Sequence, residues 1–197
     1  MNFLRSSVRI FSVFNMILFS WPSVLGGIRL RRICWRSHFS SLGKNVVFGD
    51  NLKITGFSKM KIGNDVSFMS GSYLYSNGGH LKIGDHCSFN HNVFIGADGG
   101  DIAIGKDCLI GPNVVMRAAD HEFSNCYMPI RTQGHQPGKI IIGSNVWLGA
   151  NVVVTRNVMI GDGCVVGAGA VVTRNLPSMM ICVGNPARPI RSRVIDN

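Results

Sequence analysis

The sequence predicts an all-β protein: a triangular solenoid of parallel strands, with an N-terminal helical segment and one long excursion loop. Three observations lead there. A six-residue pattern recurs along most of the chain after residue 62, and internal repeats of fixed period are the signature of stacked architectures. That period matches neither a helix at 3.6 nor a strand alternation at 2, but it suits a short strand and a corner, repeated three times per turn. The composition also fits a dry interior with many tight turns. Of 197 residues, 46% are hydrophobic and only 15% charged, and 24 are Gly, whereas disorder needs low hydrophobicity and high charge.

Residues 1–41 stand apart from the rest. Arg5 and Arg9 precede an uncharged stretch from Ile10 to Ile28, and Arg29, Arg31, Arg32 and Arg36 follow it. A cleaved signal peptide would need an A-x-A-type site, which the run lacks. Asn15, Pro22 and Gly26-Gly27 interrupt a stretch barely long enough to span a bilayer. Leu4, Val8, Phe11 and Leu18 follow helical spacing, and Pro22 would end that helix. Two roles stay open ahead of a true span: a cap on the end of the solenoid, or a helix on a membrane surface with basic flanks on anionic headgroups.

The β-solenoid is expected over 42–177. Its units read Ile62-Gly-Asn-Asp-Val66, Ile83-Gly-Asp-His-Cys87, Ile104-Gly-Lys-Asp-Cys108 and Ile110-Gly-Pro-Asn-Val114. They resume with Ile142, Leu148, Val154, Ile160 and Val166 as leading residues. The leading aliphatic residue points inward. Gly, Asn and Asp occupy corners, where the backbone needs unusual φ/ψ. The fifth position takes a compact residue, and Cys87, Cys108 and Cys164 share it with Val66, Val114, Val146 and Ala170. These cysteines therefore read as small buried hydrophobes, in keeping with a reducing compartment.

The repeat fails over 118–139. A loop ejected from a regular solenoid costs entropy without adding to the core, so function belongs there. It holds His121 and His135. A general base at the loop root is well served by His, whose ordinary pKa lies near operating pH, and Asp120, Glu122 or a backbone carbonyl would orient the ring.

The formal net charge of +10 points to an anionic partner: a phosphorylated cofactor, a membrane surface or nucleic acid. The basic residues carry no nucleic-acid-binding signature, so no nucleic acid is expected. No C-x-x-C pair occurs, which argues against a zinc ribbon or redox motif.

The run from Ile62 to Arg191 resembles the hexapeptide-repeat acyltransferase superfamily, and within it galactoside, maltose and xenobiotic acetyltransferases and bacterial polysaccharide O-acetyltransferases. The resemblance implies a left-handed parallel β-helix, an exception to the usual right-handed crossover, and a homotrimer. It implies acetyl-CoA as cosubstrate, no metal, and His121 as catalytic base. Asn90 and Asp98 match acceptor-binding positions, and Trp147 and His135 are expected to line the acceptor pocket. The same resemblance assigns the donor to Ala150, Ala168, Thr173, Arg174, Arg188 and Arg191, with residues 178–197 as a closing segment and basic tail.

The expected reaction is transfer of acetyl from acetyl-CoA to a hydroxyl, of a sugar or lipid-linked sugar in surface polysaccharide synthesis, with the protein cytoplasmic or peripheral at the inner membrane. Alternatives are an amino-sugar N-acetyltransferase, an antibiotic O-acetyltransferase and a non-catalytic assembly module. The γ-class carbonic anhydrases share the fold, but His86 and His91 without a third ligand make a poor zinc site.

Overall fold

The computed structural model describes residues 22–194, and the helical spacing read over Leu4–Leu18 lies outside them. About six turns of a left-handed parallel β-helix form the body. The first face stacks Ser41–Leu42, Met60–Ile62, His80–Ile83, Asp101–Ile104, Lys139–Ile142 and Val158–Ile160. The third face stacks Lys53–Thr55, Tyr73–Tyr75, Phe94–Gly96, Val115–Arg117, Val153–Val154 and Val171–Val172. The second face runs from Val47–Phe48 to Val165–Val166. It then gains Met180–Val183 in parallel and Arg188–Ser192 folded back antiparallel.

The six-residue unit works as its chemistry demands. The leading residues Ile62, Ile83, Ile104, Ile142 and Ile160 are buried, as are the fifth-position residues Val66, Cys87, Cys108, Val114, Val146, Val152, Cys164 and Ala170. The fourth position turns the corner in the left-handed region, with φ between 54° and 60° at Asp65, His86, Asp107, Asn113, Asn145, Asn151 and Asn157. Asn and Asp tolerate that region better than other non-glycine residues, which explains their prevalence there; His86 is one exception, and Gly163 and Gly169 take the position in the last coil. The imidazole of His86 lies between Asp65 and Asp107 of the neighbouring coils, 3.7 and 3.2 Å away, so it belongs to a corner ladder.

The first coil forms before the repeat becomes legible, because Val46, Phe48, Leu52 and Ile54 are already buried. On the second face the inward column starts with Phe48, Phe68 and Phe89, their rings stacked at 6.0 and 4.7 Å between centroids. Trp35, Phe39 and Phe57 close that end in edge-to-face and stacked contacts. Trp35 belongs to a helix, α1, spanning Gly27–Trp35. Its buried residues Gly27, Arg31 and Trp35 are four apart and form one stripe. The fully buried guanidinium of Arg31 donates to the Phe48 carbonyl at 2.9 Å, to Ser23 Oγ at 3.0 Å and to Asp50 at 2.9 Å. Hydrogen bonding from Ser23, and the Arg31 charge, hold the Asp50 carboxyl below its ordinary pKa. The inner face of α1 thus caps the solenoid. Among the described residues no helix is long and apolar enough to cross a membrane.

Cys87, Cys108, Cys164 and Cys182 are buried free thiols, and burial beside Cys182 pushes Cys164 up to about 12. Iodoacetamide on the native protein, read by mass spectrometry, is expected to modify the exposed Cys126 and spare these four until the chain unfolds. Early modification of the four would show that the coils open far more readily than their packing implies.

Candidate functional site

The excursion loop leaves the solenoid at the corner between the third and first faces. It departs and returns as a two-stranded antiparallel hairpin, Ala119–His121 with His135–Pro137. The root closes tightly, with Gly138 N–H donating to the Ala118 carbonyl at 2.7 Å. A side chain at Gly100, one coil below, would collide with the carbonyl oxygens of Gly138 and Ala118, so this corner admits only glycine.

The hairpin register sets His121 opposite His135, and the two rings lie 4.3 Å apart between centroids. Both side chains are exposed at the loop root. The neighbouring carboxylates are committed elsewhere, contrary to the expectation that one would orient His121. Asp120 accepts from Arg156 Nε at 2.6 Å. Glu122 accepts from the backbone N–H groups of Phe123 and Ser124 at 2.8 Å and from the Gln136 amide. Loop geometry is the reason. A two-residue alternation along Asp120–His121–Glu122 sends the acids to the other side of the hairpin from the imidazole. His135 is the side chain that His121 meets.

Arg156 was not legible as a functional residue. Its guanidinium also donates to the Gln136 side-chain oxygen at 2.7 Å, so it ties both hairpin strands to the coil above. A signal did exist: Val154-Thr-Arg-Asn157 is repeated at Val172-Thr-Arg-Asn175 one coil later, placing Arg156 directly beneath Arg174.

The residues expected to form the site sort into two groups, one at the corner between the third and first faces and one on the second face and the corner after it. At the corner between the third and first faces stand Asp98, His121, His135, Thr173 and Arg174. Register puts them there: Gly96 pairs with Arg117, Met116 with Val154 and Val154 with Val172. Asp98 accepts from Tyr75 Oη at 2.9 Å and lies 3.7 Å from the Arg117 guanidinium. That hydrogen bond to the carboxylate pushes the Tyr75 hydroxyl up. Tyr75 and Arg117 are further residues the sequence reading did not single out.

The second group occupies the second face and the corner after it. Trp147 points outward there, 53% exposed, in register with Leu109 and Val165. Asn90, Ala150 and Ala168 follow this face's strands Ser88–Phe89, Trp147–Leu148 and Val165–Val166 and stack at one corner. Asn90 spends its side-chain oxygen on the His91 N–H at 2.7 Å. Arg188 and Arg191 lie on the final strand, opposite Val183 and Ile181, with their side chains exposed. The Arg188 guanidinium donates to the Ala187 carbonyl at 2.8 Å. No three His, Cys, Asp or Glu among the described residues are placed to hold a metal ion.

Residues 139–174 match the family model described as bacterial transferase hexapeptide (six repeats). Among solved structures, the chain is similar to a variant of AntD, an N-acyltransferase from Bacillus cereus, in complex with dTDP and coenzyme A. The identity is 26% over 81% of this chain and 87% of that one, with a TM-score of 0.73. AntD with dTDP and 3-hydroxybutyryl-CoA aligns at 25% identity over 82% and 87%, TM-score 0.72. The hexapeptide-repeat acetyltransferase VCA0836 from Vibrio cholerae O1 biovar eltor, complexed with acetyl coenzyme A, aligns at 26% over 83% and 76%, TM-score 0.60. No curated protein matches the chain in sequence. Fold and repeat together define a left-handed β-helix assembled from hexapeptides. The repeat over 139–174 and the likeness to these acyltransferases support the hexapeptide-repeat superfamily.

The bonds to Glu122 make a pH-dependent device. The Ser124 backbone N–H, and after it the Gln136 amide, lower its pKa from 4.5 to about 2. A carboxylate depressed on folding orders the loop fully above its ordinary value and loses that effect as pH falls through the folded one. Amide-exchange protection at Phe123 and Ser124 is therefore expected to hold down to about 4.5 and to vanish toward about 2. In Glu122→Gln it should be low throughout. Undiminished protection at the acid end in the wild type would mean that Glu122 does not hold the loop.

Proposed function

We propose that the protein is an acyltransferase that moves the acetyl group of acetyl-CoA to a sugar, with His121 as general base and the active cleft shared between two copies in a homotrimer. The observation that carries this reading is the separation of the two residue groups. The histidine corner lies across the triangle from the second face, with Trp147, Arg188 and Arg191, while Ala150 and Ala168 occupy the corner after that face. A second chain would bring one against the other. The solved relatives complexed with CoA or acetyl-CoA support the donor, and the dTDP-sugar bound to an AntD variant supports a sugar acceptor.

In this mechanism the small residues at Ala150 and Ala168 let pantetheine lie against the backbone, while Arg174, Arg188 and Arg191 meet the CoA phosphates. Asp98, with His135 and Trp147, orients the acceptor. Neutral His121 takes the acceptor's proton as its oxygen attacks the thioester carbonyl. A backbone N–H near Ala150 donates to the developing oxyanion. Collapse of the tetrahedral species breaks the C–S bond, and the imidazolium returns its proton to the departing CoA thiolate. No covalent enzyme intermediate forms.

A hydroxyl acceptor is the first reading. The likeness to AntD, an N-acyltransferase, favours a second in which an amino sugar supplies the nucleophile. The same base serves both.

CoA release from acetyl-CoA with a panel of sugar and amino-sugar acceptors tests the proposal. Acceptor-dependent release is expected, and His121→Ala should lower kcat by about 10²-fold or more. Release that survives in His121→Ala would remove His121 as base, and absence of any CoA binding would remove the enzyme reading altogether.

Arg156 acts through the hairpin, as a positioning residue. Arg156→Ala is expected to lower kcat about tenfold, the cost of a base held less firmly, with KM for acetyl-CoA little changed and partial rescue in Arg156→Lys. An equal rise in donor KM would instead place Arg156 at the phosphates.

A further inference from the structure

We infer that the outer face of α1 is a docking surface for an anionic lipid bilayer. The helix has two faces with different fates. Gly27, Arg31 and Trp35 face the solenoid and are buried. Half a turn away, Arg29, Leu30, Ile33 and Arg36 are exposed, with Arg32 at the margin. Ile33 is 74% exposed, and Val24 just before the helix is 92% exposed. An apolar centre rimmed by guanidinium groups is the pattern of a helix lying in a headgroup layer, its aliphatic residues reaching toward the acyl boundary.

Charge selects the occupant. Seven Lys and Arg and no Asp or Glu precede Asp50, so the whole region is positive. A second copy of this chain meeting face to face would oppose guanidinium to guanidinium, which disfavours self-association here. A nucleic acid would satisfy the charge and leave Val24, Leu30 and Ile33 without an apolar counterpart. A bilayer with anionic headgroups satisfies both. The sequence leading into the surface agrees, since Ile10 to Trp21 contains no charged residue. Arg31, pinned to Phe48, Ser23 and Asp50, locks α1 onto the first coil, so the surface is presented rigidly at the end of the solenoid.

The test uses the full chain and sedimentation with vesicles of phosphatidylcholine alone or with about one-third phosphatidylglycerol. Binding is expected only to the anionic vesicles and should weaken as salt rises. Each guanidinium near the surface contributes about 1 kcal/mol, so Arg29→Gln/Arg32→Gln/Arg36→Gln should weaken binding about 10²-fold. Ile33→Asp should weaken it without changing the protein's own oligomeric state. An unchanged melting temperature in both variants shows that the fold is intact, and CoA release in solution should be unaffected. Equal binding to neutral vesicles, retention through a high-salt wash, or no effect of either variant would overturn the proposal. So would an oligomer that dissociates in Ile33→Asp, since the surface would then join copies of the chain.

Discussion

Every coil of this protein has to turn three corners and return its inward side chains to the column they left one turn earlier. That register is the constraint on which the rest depends. It is met by a left-handed residue at the fourth position of each hexapeptide, as at Asp65, Asp107 and Asn145. Compact residues such as Cys87, Cys108 and Val146 sit immediately after, where two walls converge. Parallel strands of two to four residues would be marginal alone. Stacked in register they bury a continuous core, and each coil supports the next.

A regular stack also makes irregularity expensive, so the exceptions carry information. The hairpin at 119–121 and 135–137 interrupts an otherwise contiguous third-to-first-face corner, and it is held from both neighbouring coils. Glycines at 100 and 138 let it leave through a narrow root, and Arg156 ties Asp120 and Gln136 to the coil above. The imidazole pair is therefore carried on a short two-stranded stalk, with the acids facing away. The aromatic end of the core is the second exception. There Phe48, Phe68 and Phe89 meet Trp35 from α1, and a helix replaces what would be an exposed end of the stack.

The triangular cross-section has a functional consequence. In the proposed enzyme, a neighbouring copy would bring its second face against the histidine corner of the first. Oligomerisation and catalysis become one problem in the proposed enzyme. The end of the solenoid that α1 caps is left for a different task, with the inner stripe of the helix serving the core and the outer stripe facing away from it.

The sequence by itself determined the fold class, because a six-residue period with an inward aliphatic, a corner Asn or Asp and a compact fifth residue has few other solutions. It also marked the loop and its two histidines, since failure of a strict repeat is visible without coordinates. The earliest coils escaped it. Around Val46 and Leu52 the core is filled by residues that do not keep the Ile-Gly signature, and only burial reveals them. Tertiary structure alone decided which side chains meet. Asp120 and Glu122 flank His121 in the chain yet point to Arg156 and Gln136, while His135, fourteen positions away in sequence, lies against its ring. Asn90 and Asp98 are near neighbours in sequence but occupy different corners, because a solenoid turns between them. Spacing along a chain reports local geometry, and which corner a side chain reaches depends on how the coils wind and stack.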